Sequence, residues 1–117
     1  MISFDLPIRT VSEANDRDHW RVKSKRRKAQ QTEATVLMMN ALRGRKVELP
    51  CIVKLIRIGP KALDGDNLQS SFKSIRDAIA RKIGIDDGDP RIKFEYAQSP
   101  IGERSYNVKV EIRGNNE

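Results

Sequence analysis

The chain has 117 residues, a net charge of +7 and a hydrophobic content of 38%. This length suits one domain, residues 1–117, with a modest core. No apolar run approaches the roughly 18 residues that span a bilayer, and the N-terminus lacks the basic-then-apolar pattern of a signal peptide, so we expect no membrane segment. The single Cys51 excludes an internal disulfide and a multi-cysteine zinc site, and a cytoplasmic setting is expected.

Four segments with alternating apolar side chains predict β-strands. Residues 2–9 form the first strand, and residues 46–58 form the second, which ends at Gly59-Pro60. The third and fourth strands alternate through Ile92, Phe94 and Tyr96 and through Tyr106, Val108, Val110 and Ile112. Residues 99–103 lie between the last two strands and predict the loop of a hairpin.

Two helices are predicted between these strands. The first covers residues 18–42, with Asp16 or Asp18 as its cap, and stops before Gly44. Its second half is apolar and is expected to dock on the core, whereas its basic first half is expected to project toward a ligand. The second is a single amphipathic helix that ends at Gly84, and its apolar face consists of Leu68, Phe72, Ile75, Ile79 and Ile83.

The element order is therefore β-α-β-α-β-β. This order predicts an α+β domain in which a small mixed β-sheet packs with two helices.

A dense basic stretch begins the first helix. Seven of the 23 lysines and arginines lie in residues 17–28, where Asp18 is the only acid. This density favours a polyanionic partner, nucleic acid rather than a membrane surface, and the alternative is a solvated helix face. The candidate DNA-binding residues are Arg21, Lys23, Lys25, Arg26, Arg27 and Lys28.

Aspartates flank the second helix. Asp64 and Asp66 precede it, and an acidic turn, residues 86–89, follows it. Carboxylates gathered together repel one another unless a cation lies among them, so the pattern suggests a divalent metal site. Each of these aspartates also has a structural explanation. Asp66 with Gln69 is typical of a capping box, Asp64 is typical of a loop, and residues 86–89 are typical of an ordinary turn.

Geometry and known motifs limit the metal hypothesis. A single helix of about 18 residues is roughly 27 Å long, so the acidic turn must fold back before its carboxylates can approach Asp64 and Asp66. An EF-hand is excluded, because a loop starting at Asp64 has Gln69 in place of its glycine and Ile75 in place of its final glutamate. The sequence also lacks a phosphate-binding loop and a histidine pair.

The run Asp64-Gly65-Asp66-Asn67-Leu68-Gln69, a helix with Lys73 and Asp77, and Gly84-Ile85-Asp86-Asp87 together resemble the RusA family of Holliday-junction resolvases. The resemblance covers residues 64–87 and extends loosely to the order of elements and the basic segment. It implies a small homodimeric, magnesium-dependent endonuclease that cuts branched DNA in recombination and repair, in the cytoplasm of a bacterial or phage-infected cell. Mn²⁺ is a possible substitute for Mg²⁺.

The resemblance also implies roles for particular residues. By position, Asp64 and Asp66 match the first acidic pair of the family, and Asp87, beside Asp86, matches the later one. The implied metal ligands are Asp64, Asp66, Asp86 and Asp87, and the implied catalytic residues are Asp64, Asp66, Asp87 and Lys73.

The chain departs from the family pattern at one position. The family lysine usually lies one turn after the second aspartate, where this chain has Ser70, and Lys73 is expected to pair with Asp77. A second hypothesis is therefore a non-catalytic, branched-DNA-binding accessory protein with the same fold. A third is an interaction module whose acidic loops bind a protein.

Overall fold

The computed structural model describes residues 1–10 and 20–114. Its elements in chain order are β1 (Ile2–Leu6), α1 (Trp20–Leu42), β2 (Cys51–Gly59), α2 (Gly65–Ser71), α3 (Lys73–Ile83), β3 (Ile92–Pro100) and β4 (Asn107–Gly114). The α+β class and the small mixed sheet are confirmed, with three helices in place of two. The caps predicted at Asp16 and Asp18 lie outside the described residues. Within the described ranges, no helix is both long enough and apolar enough to cross a membrane.

The four strands form one sheet in the order β1-β4-β2-β3. β3 runs parallel to β2, and β4 runs antiparallel to both β1 and β2. The predicted hairpin between β3 and β4 is therefore wrong. The N–H groups of Ile101 and Gly102 donate to the carbonyls of Gly59 and Pro60 instead, after which the chain crosses β2. β4 lies between β1 and β2, and its inward side chains Val108, Val110 and Ile112 are buried in the core.

One face of the sheet carries the core. The buried apolar side chains of the strands and helices form a single cluster that includes Leu6, Val53, Leu55, Val110, Met38, Phe72, Ile75 and Ile79. The second half of α1 docks there as predicted, through Ala34, Met38 and Leu42. Three strand boundaries differ from prediction by two residues or more: β1 ends at Leu6, β2 begins at Cys51, and β3 continues to Pro100 into the predicted loop. Pro7 and Pro50 lie next to the first two of these boundaries, and proline has no N–H for a strand ladder.

The second predicted helix is two helices, α2 and α3, which meet at Phe72. The hydroxyls of Ser70 and Ser71 donate to the carbonyls three residues earlier, at 3.2 and 2.7 Å, and such bonds compete with the helical ladder and bend helices. Apolar spacing continues across the break, so periodicity alone does not reveal it. The end at Gly84 is confirmed, because this residue adopts φ 99° and its N–H donates to the carbonyls of Ala80 and Arg81.

Candidate active site

The first acidic pair lies at the start of α2. Asp64 is the N-cap, and its Oδ1 accepts a hydrogen bond from the backbone N–H of Asn67 at 3.2 Å. The prediction of Asp66 and Gln69 as a capping box is therefore wrong, and Asp66 lies within the first helical turn. Both aspartates are exposed, so a ligand can reach their carboxylates from solvent.

The cap at Asp64 is testable without any assumption about function. Asp64→Ala removes the acceptor for the Asn67 N–H and is expected to lower the free energy of unfolding by about 1 kcal/mol. Asp64→Asn keeps an oxygen acceptor and is expected to lose only a few tenths of that. Urea denaturation measures both, and equal losses in the two variants would contradict the capping role.

The acidic turn lies against α3. Asp77, Arg81, Asp86 and Asp87 are among the residues that line a shallow cleft of about 460 Å³. The pKa of the Asp77 carboxyl is raised, chiefly by burial and further by the charge and hydrogen bond of Asp87, while Lys73 opposes the shift. Asp77 and Asp87 thus form a close carboxyl pair, and a proton or a cation between them relieves their repulsion.

The raised pKa of Asp77 has a consequence for stability. Folding favours the protonated carboxyl, so the stabilisation is complete below the ordinary aspartate pKa of about 3.9 and is lost as pH rises through the folded-state pKa. Asp77→Asn has no carboxyl to ionise, so its stability is not expected to fall as pH rises through this range. It is expected to melt at a higher temperature than wild type at neutral pH. Thermal melts across this pH range measure the difference.

The matched control for this experiment is Asp5→Asn. The Asp5 carboxylate accepts a hydrogen bond from Asn107 between β1 and β4, away from α3. Melting curves of Asp77→Asn that follow wild type at every pH would contradict the carboxyl pair.

Lys73 belongs to the same cluster as the carboxyl pair. It is the first residue of α3, and its Nζ lies 3.9 Å from Oδ2 of Asp77, which confirms the predicted i,i+4 pair. The Lys73 side chain is 52% exposed, so the pair contributes little to stability. Because Asp77 also contacts Asp87, the fold brings Lys73 and Asp77 of α3 together with Asp87 of the acidic turn. Ser70, at the position of the family lysine, lies on α2.

The two acidic segments lie near opposite ends of β3. Leu63, just before the first pair, exchanges hydrogen bonds of 2.9 and 2.7 Å with the Gln98 side chain. Arg91, just after the acidic turn, accepts through its carbonyl from Cys51 N–H at 2.9 Å. Arg91 and Gln98 are seven residues apart on an extended segment, a separation of roughly 20 Å.

The four aspartates that the resemblance implies as metal ligands therefore do not lie together within a single copy of the chain. The fold brings Asp86 and Asp87 to one cleft and keeps Asp64 and Asp66 near the other end of the strand. Across residues 1–10 and 20–114, no three acidic, histidine or cysteine side chains are placed to hold a metal ion.

The basic stretch, residues 21–28, occupies the first turns of α1. Its exposed members are Arg21, Lys25 and Lys28, and its half-buried members are Lys23, Arg26 and Arg27. Trp20 precedes the stretch, is 66% exposed, and lies with its ring centroid 5.3 Å from the Arg21 guanidinium. Lys28 and Arg81 line a common groove between α1 and α3, and Arg81 also lines the acidic cleft. Arg81 therefore links the acidic cleft to a groove that Lys28, the last residue of the basic stretch, also lines.

The sequence analysis did not identify two charged residues that the structure makes prominent, Asp77 in the acidic cleft and Arg57 in a separate cavity near the end of β2. Asp77 was identified only as the partner of Lys73, although it lies two turns before Gly84, on the face that a returning chain must pass. Arg57 continues the buried register of Cys51, Val53 and Leu55 along β2, so strict alternation already places its guanidinium inward. A charged residue at a core position was the available signal.

A scan against protein-family models and a search of curated proteins return no match for this chain. The resemblance to the RusA family therefore rests on the motif residues themselves.

Proposed function

We propose that the chain is a magnesium-dependent endodeoxyribonuclease that resolves four-way DNA junctions. The observation that carries the proposal is the contact between Asp77 and Asp87 in a cleft that shares Arg81 with the groove between α1 and α3, which Lys28 also lines. Carboxylates beside a cationic surface can hold a divalent ion against a phosphate backbone. The DNA-resolvase assignment itself comes from the motif.

The carboxyl pair fits a hard divalent cation. Its oxygen donors are those that Mg²⁺ and Mn²⁺ prefer, and their mutual repulsion is relieved by positive charge. Asp77 and Asp87 would supply two of its ligands, while Asp64, Asp66 and Asp86 remain proposed ligands on the motif alone. When bound, the metal supplies an activated water and neutralises charge on the scissile phosphate.

The other residues of the site bind and orient DNA. Lys73 balances part of the charge of Asp77 and is placed to stabilise negative charge that develops near the pair. Residues 21–28 bind backbone phosphates, which gives an affinity that falls steeply with salt and reads little sequence. A two-fold homodimer would present two such sites to the symmetric strands of a junction. We place this activity in the cytoplasm of a bacterial or phage-infected cell.

The test is cleavage of a labelled four-way junction by the wild-type protein. Paired, symmetric nicks are expected with Mg²⁺ or Mn²⁺ and none with a chelator. A linear duplex of the same sequence serves as the substrate control and is expected to be cut poorly. Cleavage that persists in chelator, or that is equal on the linear duplex, would contradict a metal-dependent junction resolvase.

The second candidate is a non-catalytic, branched-DNA-binding accessory protein. The observation that favours it is the separation of Asp64 and Asp66 from the acidic turn within one chain. It predicts tight junction binding without nicks in Mg²⁺ or Mn²⁺. Loss of binding to every nucleic acid at moderate salt would instead favour the protein-interaction module.

A further inference from the structure

A second charged cavity, of about 260 Å³, opens near the end of β2. Arg9, Arg57 and Lys61 line it together with Thr10 and Tyr106, and no carboxylate among the described residues does so. Leu63, also in its wall, immediately precedes the first acidic pair. The cavity is therefore cationic and adjoins the motif segment.

Arg57 is the unusual member of this cavity, because it occupies a core position of β2 and is only 7% exposed. Its Nη1 donates to the Lys61 carbonyl at 2.7 Å, while its Nε is buried without a hydrogen-bond partner among the described residues. Burial lowers the pKa of the Arg57 guanidinium, with Tyr106 opposing and Arg9 adding to the shift. A buried cation without an anionic partner is unfavourable, and a bound anion would remove that penalty.

The surrounding chain positions these cations. A Cβ on Gly59 would lie 3.2 Å from three atoms of the Arg57 guanidinium, so glycine leaves room for that group over the end of β2. Gln30, buried on α1, donates to the Arg9 carbonyl at 3.1 Å. The Arg9 guanidinium in turn lies 4.7 Å from the Tyr106 ring centroid. Gln30 thus fixes the Arg9 backbone, Tyr106 lies against the Arg9 guanidinium, and Gly59 leaves space for the Arg57 guanidinium.

The Thr10 hydroxyl adds a neutral hydrogen-bonding group. Thr10 is 5% exposed, and its Oγ1 has no hydrogen-bond partner among the described residues. A hydroxyl both donates and accepts, so it suits an oxyanion beside a guanidinium.

We propose that this cavity binds one phosphate group of a nucleic-acid backbone beside Asp64. Guanidinium groups recognise phosphate oxygens through charge-assisted hydrogen bonds, and the three cations attract the negative charge of the phosphate. The volume admits a single phosphate with its ester oxygens, not a base pair. The assignment of the phosphate to DNA rests on the proposed function, whereas the phosphate site itself does not.

Thermal melts without divalent metal test the phosphate site, with inorganic phosphate compared to chloride at equal ionic strength. At about ten times the dissociation constant, phosphate is expected to raise the wild-type melting temperature by roughly 5 °C. Arg57→Met is expected to lose this shift and to melt higher than wild type in chloride, because the uncompensated charge is gone. Arg9→Gln, at an exposed position, is expected to lose part of the shift even if Arg57→Met does not fold.

Two comparisons make the result specific. Arg113→Gln removes an arginine that pairs with Glu95 at 3.1 Å and is expected to keep the full phosphate shift. Acetate is expected to give little stabilisation, since its planar carboxylate does not present the tetrahedral set of oxygens with which a phosphate group meets several cations. An equal phosphate shift in wild type, Arg57→Met and Arg9→Gln, or an acetate shift as large as that of phosphate, would overturn the assignment.

Binding of a fluorescent single-stranded oligonucleotide without Mg²⁺ then tests the source of the phosphate. Arg9→Gln and Arg57→Met are expected to weaken binding about tenfold, and Arg113→Gln is expected to change it little. If the phosphate shift depends on Arg57 but oligonucleotide binding does not, the DNA assignment is overturned and the phosphate site stands. Neither measurement involves cleavage, so failure of the nuclease proposal leaves both interpretable.

Discussion

Asp87→Asn is expected to reduce the junction-cleavage rate at least about 100-fold in Mg²⁺, because the amide withdraws a charged oxygen ligand from the proposed metal site. Junction binding is expected to stay equal or to tighten slightly, since the substitution removes negative charge beside the DNA. Single-turnover cleavage at saturating protein measures the first quantity, and a gel-shift titration without metal measures the second.

Two further variants separate the proposed ligand sets. Asp66→Asn tests the pair named by the motif, and Asp77→Asn tests the residue that the fold places against Asp87. If the carboxyl pair holds the metal, Asp77→Asn is expected to lose cleavage as Asp87→Asn does. Full activity in Asp77→Asn together with loss in Asp66→Asn would remove Asp77 from the site. Asp5→Asn is the matched aspartate control and is expected to cut at the wild-type rate.

Phe72→Ala is expected to lower the free energy of unfolding by about 3–5 kcal/mol, the usual loss for a phenylalanine truncated in a packed core. Phe72 is fully buried at the junction of α2 and α3, and its ring stacks on Tyr96 at a centroid distance of 5.9 Å. The truncation therefore removes core packing, an aromatic contact and the side chain that anchors the helix junction. Urea denaturation monitored by far-UV circular dichroism measures the loss.

Phe72→Leu is the control for this substitution. It keeps an apolar side chain at the junction and is expected to lose less than about 1.5 kcal/mol. A loss below about 1 kcal/mol in Phe72→Ala would contradict the buried junction. Because a domain of this kind is stable by only about 5–15 kcal/mol, Phe72→Ala is also expected to be largely unfolded at elevated temperature.

Local patterns predicted most of the elements. Alternation identified four strands because each has one face on the core, and Gly84 identified the end of α3 because it adopts a left-handed conformation. Periodicity did not reveal the break at Phe72, since the apolar face of α2 and α3 continues through it. The hairpin prediction failed because turn-forming residues near Gly102 specify only that the chain bends there. They do not specify which strand β4 pairs with after the bend.

The candidate site was predictable as a set of charged residues but not as an arrangement. The motif predicted Asp87 and Lys73 as site residues. In the structure both interact with Asp77, whose burial depends on tertiary packing. The cap at Asp64 was missed because Asp64 and Asp66 are both good caps, and the choice depends on where the first turn starts. The cationic cavity depends on Arg9 and Arg57, which are far apart in sequence.

The interior position of β4 has a consequence for how the chain acquires its structure during synthesis. β1 pairs with β4 alone within the sheet, so Ile2 can meet Ile112 only after residue 112 has been synthesised. Such long-range pairing gives a high contact order and slow folding. Until residues 107–114 are available, β1 and β2 have no strand between them, and their edges and apolar faces stay uncovered.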